Sequence, residues 1–269
     1  MKTALPLLGF TLILLPRIFA ADASPAAAPP VVAPLFSENF ESGRLDPKIW
    51  TQNVTGDNVI TVQRDKAAHG GYALRVSCPA PSNKTWAFIM AAHLPDALRS
   101  HHFGRAYLFV TPKPPDRHTI LLMAGTPGFP KNKFLEIATT SGKWQLTWVD
   151  LTGSTNQEDY HSGGLVPLGR WFCLEWEFND HPDHVSVWVD GQPVYDSGFT
   201  VKSTGAVTDL VGGFTDIAFG FRLWGAAPAP FDLYYDDIAF DTKRLGPLAP
   251  PPGSARVERD VPGALSVPR

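Results

Sequence analysis

The stretch from Leu168 to Gly198, LGRWFCLEWEFNDHPDHVSVWVDGQPVYDSG, alternates so regularly that it constrains the whole chain to a β architecture. Phe172, Leu174, Trp176 and Phe178 alternate with Trp171, Cys173, Glu175 and Glu177, a two-residue period that sends successive side chains to opposite faces of a sheet. Asn179 to Asp183 supplies turn formers, and Val185, Val187 and Val189 then oppose His184, Ser186 and Trp188. Asp190-Gly191 is a second tight-turn signal. A strand set with one aromatic and valine face and one mixed face needs a second sheet to cover the apolar side, so the meander predicts a β-sandwich.

The ends of the chain read differently. Met1 to Ala20 carries Lys2, an apolar run from Ala4 to Leu15 and small residues before Asp22, the pattern of a signal peptide that directs secretion or periplasmic export. Arg17 and the shortness of the run argue against a span, which needs about 20 apolar residues. Residues 21–34 form a Pro/Ala-rich linker, and residues 245–269 read as a disordered Pro-rich tail. Between them, 35–244 leaves about 210 residues, enough for one all-β domain with a large core. The formal charge of -3 falls to about -5 once Lys2 and Arg17 are removed with residues 1–20, so nothing electrostatic recommends nucleic acid or an anionic membrane as a partner. A monomer is expected.

Short alternating runs recur along the domain at 58–63, 72–77, 87–92, 105–111, 119–124, 134–139, 144–149, 216–224 and 231–240, separated by Gly, Pro, Asn and Asp clusters. Helical periodicity is almost absent; only Leu94 to Leu98 reads as a short helical turn. About ten to fourteen strands are expected, in an all-β jelly-roll sandwich of two antiparallel sheets.

The segments FSENFESGRLDPKIW, AAHGGYALRV, GRAYLFV, GRWFCLEWEF with VWVDG, and DLYYDDIAF resemble, in that order, the concanavalin A-like jelly-roll proteins related to fungal cellulose-induced proteins and glucuronan lyases. The resemblance runs from Phe36 to Phe240 and implies a fold more firmly than an activity, because the hairpin and the last strand recur in many carbohydrate-binding modules. It implies a polysaccharide partner, one containing uronic acid if the activity is that of a lyase.

A first constellation joins the two ends of the domain: Glu41 in NFESG, the Gly70-Gly71 backbone and Asp236 in YYDDIAF. Calcium takes six to eight oxygens from carboxylates and carbonyls, and the resemblance implies a structural calcium ion at these motif positions. The alternative is that Asp236 or Asp237 is a hydrogen-bonded strand end.

A second constellation concerns elimination from a uronic acid, which requires a group to neutralise the carboxylate, a base for the C5 proton and an acid for the leaving oxygen. The resemblance implies a histidine and an arginine on the concave sheet, and His118 and Arg105, at the openings of two strands, are the candidates here. Tyr160 and His161 lie in a Gly/Ser/Asn-rich stretch expected to form a loop bordering a groove. On the alternating face Ala218-Gly220-Arg222-Trp224, small residues leave room for a ligand; Arg222 offers a carboxylate-binding fork and Trp224 a stacking surface. Trp148, with Trp144, is a further candidate for sugar contact, core packing being the alternative.

Glu175 and Glu177 carry a rival chemistry, since carboxylates two apart on one strand face suit a retaining glycosidase at a separation of ~5.5 Å. Their spacing departs from the Glu-x-Asp-x-x-Glu type pattern of glucanases with this fold. Cys78 and Cys173 leave two readings open, a disulfide or two buried thiols. The functional expectation is a polyuronate lyase, with a non-catalytic carbohydrate-binding module or a glycoside hydrolase as alternatives and a structural or adhesive surface protein after those.

Overall fold

A computed structural model describes residues 33–249, apart from 80–81, 84, 113, 127–132, 152–155, 181–182, 199–212 and 228; at 82–83, 156–163, 183, 197 and 226 the backbone alone is described. The expected signal peptide, most of the linker and residues 250–269 lie outside the described residues. In chain order the strands are β1 (Phe36–Glu38), β2 (Trp50–Val54), β3 (Val59–Gln63), β4 (Ala73–Cys78), β5 (Ser82–Asn83), β6 (Trp86–Ala91), β7 (His101–Val110), β8 (Thr119–Gly125) and β9 (Lys133–Thr140). Then follow β10 (Lys143–Asp150), β11 (Asn156–Leu165), β12 (Trp171–Asp180), β13 (Asp183–Val189), β14 (Gln192–Ser197), β15 (Asp216–Leu223), β16 (Ala226–Ala227) and β17 (Phe231–Asp241). One 3-10 turn, Asp96–Leu98, falls where Pro95 and Asp96 announce it.

Two antiparallel sheets form the jelly-roll sandwich. One has eight strands in the order β14-β13-β12-β7-β17-β4-β3, with β1 paired to β17, and the other has seven in the order β11-β10-β9-β8-β15-β6-β2. The meander sits as β12, β13 and β14 at one side of the larger sheet, with Trp176 facing Val187 and Phe178 facing Val185 in register. Its apolar face is buried as the alternation requires: Phe172, Leu174, Trp176, Phe178, Val185 and Val187 all belong to the inter-sheet core. Gly104 stands opposite Trp176, and a Cβ there would collide with the indole ring; only glycine lets β7 pass so close to that tryptophan.

Three strand positions differ from expectation for identifiable reasons. Trp50–Val54 and Phe36–Glu38 lack a long alternating pattern and become strands by pairing with β6 and β17. The Gly/Ser/Asn-rich stretch expected as a loop is β11, held by its ladder to β10 over a weak intrinsic propensity. Beyond β17, the backbone from Arg244 to Leu248 does not leave the sheet at the expected domain end. Gly246 N donates to Glu175 and Leu248 N donates to Tyr107, at 2.9 Å each.

Candidate functional site

The face of the seven-stranded sheet turned away from the core carries the convergent polar groups. It is floored by an apolar patch of Phe88, Ile120, Met123, Phe134, Ala138, Val149 and Ala218. Against this floor stand His118, which precedes β8, Glu136 of β9, Gln145 and Thr147 of β10, and Arg222 of β15. Glu136 is buried, which is tolerable for a carboxylate only with partners. His118 provides one: its Nε2 lies 3.1 Å from Glu136 Oε2. On the other side of the ring, Nδ1 lies 3.4 Å from Thr140 Oγ1. Thr140 Oγ1 donates to Gln145 Oε1 at 2.6 Å, and Gln145 Nε2 donates to Thr147 Oγ1 at 3.0 Å.

Arg222 approaches from β15. Its guanidinium lies 4.6 Å from the centre of the Trp224 ring, and Trp224 is 49% exposed. The Trp224 backbone N–H donates to His118 O at 3.1 Å, tying the two residues together at one end of the face. Burial lowers the Arg222 pKa, while the charge of Glu136 opposes the shift. Its Nη1 is buried without a hydrogen-bond partner among the described residues. A buried cationic donor lacking an acceptor costs free energy until an anionic or polar ligand supplies one.

The placement of Arg222 depends on a bulge. Ala218 faces Met123 in register, whereas Arg222 faces Ile120, so β15 advances four residues while β8 advances three. Leu121 is the odd residue, and Leu121 and Leu122 both point into the core. A one-residue slip reverses the face of every later side chain, and the bulge is what allows Ala218 and Met123 at one end, and Arg222 and Ile120 at the other, to share the outer face.

The structure separates residues that the sequence reading grouped. Arg105 does not share a site with His118: it projects from the outer face of the eight-stranded sheet, on the other side of the sandwich. There it stands opposite Glu175 in register and donates from Nη1 to Gly246 O at 3.1 Å. The reason is parity, since Ala106 and Leu108 take the core face of β7 and leave Arg105 and Tyr107 on the reverse. Trp148 is also corrected, because it lies in the inter-sheet core with Trp144 and Leu146 and is out of reach of a sugar. Tyr160 and His161 fall on β11 opposite Leu146 and Gln145; paired positions share a face, so position 161 registers with the polar cluster and position 160 with the core side, against the expected place of Tyr160 at a groove.

The glycosidase pair is similarly committed. Glu175 receives two hydrogen bonds from Arg244, at 3.2 and 2.9 Å, and is covered by the chain at Gly246. Glu177 holds His101 at 2.8 Å. The cysteines are both free and buried; Cys78 is in the core, whereas Cys173 lies on the reverse face of the same sheet, where burial pushes its thiol up to about 12. Thiols on opposite faces of one sheet do not meet the reach of a disulfide.

At the far corner, Glu41 Oε1 accepts the amides of Gly71 and Tyr72 at 2.9 and 3.0 Å, and Asp236 Oδ2 accepts those of Ala68 and His69 at 2.9 and 3.1 Å. Both acids thus grip one turn, 68–72, from two elements. A Cβ at Gly70 would strike the Glu41 carboxylate. Burial first, and then the neighbouring Asp237, push the Asp236 carboxyl up to about 7. The oxygen donors have the hardness calcium prefers, but the described residues hold no group of three or more His, Cys, Asp or Glu side chains arranged for a metal.

No family model matches the sequence, and no curated protein is significantly similar to it. Solved structures do match. "Cellulose induced protein, Cip1" superposes with a TM-score of 0.59 at 18% identity, covering 78% of this chain and 99% of that one. The endo-beta-1,4-glucuronan lyase from the fungus Trichoderma reesei superposes with a TM-score of 0.56 at 12% identity, covering 78% and 96%. This chain shares their jelly-roll fold. At such identities the likeness carries architecture, and the chemistry rests on the residues themselves.

Glu136, Thr140, Gln145 and Thr147 escaped the sequence reading. A signal was available, because Glu136 is a charged residue in the middle of an otherwise apolar strand, KFLEIATT, and such a residue needs a partner when buried.

Proposed function

We propose that this chain is a secreted, polysaccharide-active protein that cleaves a uronic-acid-containing polysaccharide by β-elimination. The observation that carries the reading is the juxtaposition on one outer face of the His118–Glu136 pair with a buried Arg222 Nη1 that has no hydrogen-bond partner among the described residues. In this reading Arg222 neutralises the uronate carboxylate and so acidifies the C5–H. His118 is the base that takes that proton, and Glu136 orients the ring and balances the imidazolium that forms. Trp224 stacks on a sugar ring beside the guanidinium, and water supplies the proton to the leaving oxygen. The test is to incubate the purified protein with a panel of polyuronates and follow ultraviolet absorbance of the unsaturated product. Absorbance that stays flat on every polyuronate sinks the lyase reading.

One observation favours a second reading, that of a carbohydrate-binding module. Trp224 is half exposed and stacked on Arg222, which is by itself a platform for a sugar ring. Binding without turnover on the same panel selects it.

A structural calcium ion at the Glu41, Gly70 and Asp236 corner belongs to the same proposal. The carboxylates of Glu41 and Asp236 and the backbone at Gly70 would hold it, and its charge would offset the crowding of Asp236 and Asp237.

A further inference from the structure

The phenol of Tyr235 crosses the core from β17 of the eight-stranded sheet to the bulge in the opposite sheet. Its hydroxyl lies 2.8 Å from Leu121 O and 2.8 Å from Gly220 O. These two carbonyls belong to the residues at which the strand registers change. Ile137 and Ala138 are adjacent on β9, one residue, Leu121, intervenes on β8 between their partners, and two residues, Gly220 and Phe221, intervene on β15. The extra residues interrupt the ladder and free carbonyls that water cannot reach, a costly arrangement unless a donor is supplied. Tyr235, fully buried, supplies the donor, its single proton shared between the two carbonyls. Gly220 has φ of +144°, and a Cβ there would run into the backbone of Ala87 and Phe88, so the bulge closes tightly on β6 and has no slack of its own.

We infer that Tyr235 is a positioning residue for the candidate site, holding from the far sheet the bulge that sets Arg222 opposite Ile120 and beside the His118–Glu136 pair. The hydroxyl touches neither Arg222 nor the outer face; it acts through the two carbonyls. Two residues after Gly220, the chain direction at the bulge decides where the guanidinium and the Trp224 ring under it lie. The functional part of this inference rests on the reading of Arg222 as the partner of a substrate carboxylate, while the structural coupling stands apart from it.

The experiment compares wild type with Tyr235→Phe, which keeps the ring in the core and removes the donor. The first readout is the Nε–Hε cross-peak of Arg222 in a nitrogen–proton spectrum, identified as the one missing from Arg222→Lys. In the Phe variant this cross-peak is expected to move, and amide exchange is expected to quicken by about tenfold or more at 119–123 and 219–224 ahead of the rest of the sheet. A Phe variant that folds, loses stability uniformly and leaves the Arg222 cross-peak unmoved overturns the inference, since Tyr235 is then only a core residue. If Tyr235→Phe does not fold, 3-fluorotyrosine placed at position 235 keeps the ring and alters the strength of the donor; the same cross-peak must move, and a fixed one overturns the inference equally. The second readout is turnover of a polyuronate, in which the Phe variant should show a KM raised roughly tenfold, from a misplaced carboxylate partner, with His118-dependent proton transfer retained. A wild type inactive on all polyuronates overturns the lyase reading alone, and the Arg222 cross-peak still decides the role of Tyr235.

Discussion

The indole Nε1–H of Trp176 donates to Nε2 of His102 across 3.4 Å, with both residues completely buried between the sheets. Nδ1 of the same imidazole lies 2.9 Å from Leu98 O and donates to it, so the ring is neutral with its proton on Nδ1. Phe178, Phe214 and Phe240 meet it edge to face. Both nitrogens are used, and a second proton would displace the tryptophan donor.

This arrangement predicts a pH dependence of stability. Burial lowers the His102 pKa from 6.5 to about 4, against a raising contribution from the Leu98 carbonyl and with a further lowering from His101. The folded pKa is below the unfolded one, so the unfolded chain binds more protons between the two values. The stabilisation is therefore complete above pH 6.5 and is lost as pH falls towards 4, on the order of 3 kcal/mol in all. Asp236, raised from 3.8 to about 7, works in the opposite sense, because the native state holds its proton longer. Thermal melts at pH 4.5 and pH 7 separate the two contributions: His102→Gln should flatten the acid-side loss seen in wild type, and an undiminished loss would place its origin elsewhere.

Arg222→Ala should weaken polyuronate binding by about ten- to a hundredfold, the worth of a charge-assisted hydrogen bond in a partly desolvated site. Its stability cost should be small, since Nη1 gives up no partner among the described residues. Titration calorimetry paired with a melting curve tests both halves, and affinity equal to that of wild type would remove Arg222 from the site.

His118→Ala should abolish elimination while much of the binding survives, because the proton acceptor is lost and the arginine and tryptophan are kept. Arg105→Ala should leave both activity and binding unchanged, since it lies on the other side of the sandwich. Initial rates for the two variants decide the matter; loss of activity in the Arg105 variant at full stability would contradict the placement of the site.

The strap after β17 should matter to stability alone. Glu175 is 1% exposed and relies on Arg244, whose guanidinium also lies 4.1 Å from the Trp188 ring centre. Arg244→Ala leaves a buried carboxylate short of its cation and should cost on the order of 2–3 kcal/mol, below the full penalty because the arginine is itself partly solvated. Denaturant midpoints measure this, and a cost near zero would mean that Glu175 is protonated or solvated once Arg244 is gone.

For the proposed calcium ion, a chelator should lower the melting temperature and added calcium should restore it by mass action on the native state. Glu41→Ala and Asp236→Ala should both erase that response. Melting curves that do not move with chelator argue that the five backbone amides of Ala68, His69, Gly71, Tyr72 and Asp237 hold these carboxylates without an ion.

Much of the architecture was legible in the amino-acid order because a two-residue period reports which face of a strand must be covered. Phe172, Trp176, Val185 and Val187 lie where their alternation puts them, whereas of the expected pair on one strand face Arg222 is on β15 and Trp224 follows its end at Leu223. Local order carries no information about which strand lies beside which, or which face of a sheet meets the second sheet. That is why Arg105 and His118, each read as opening a strand, are expected together, whereas β7 begins at His101 and the two lie on opposite sides of the sandwich. Trp148 resembles a sugar platform in isolation and is core, because the other sheet covers its face. Only tertiary pairing decided that Glu136 would meet His118, that β11 would be a strand, and that Tyr235 would reach across to Leu121 and Gly220. Those side-chain contacts join residues 15, 18 and more than 100 positions apart, a range over which the physics acts through packing and register and leaves no periodic trace in sequence.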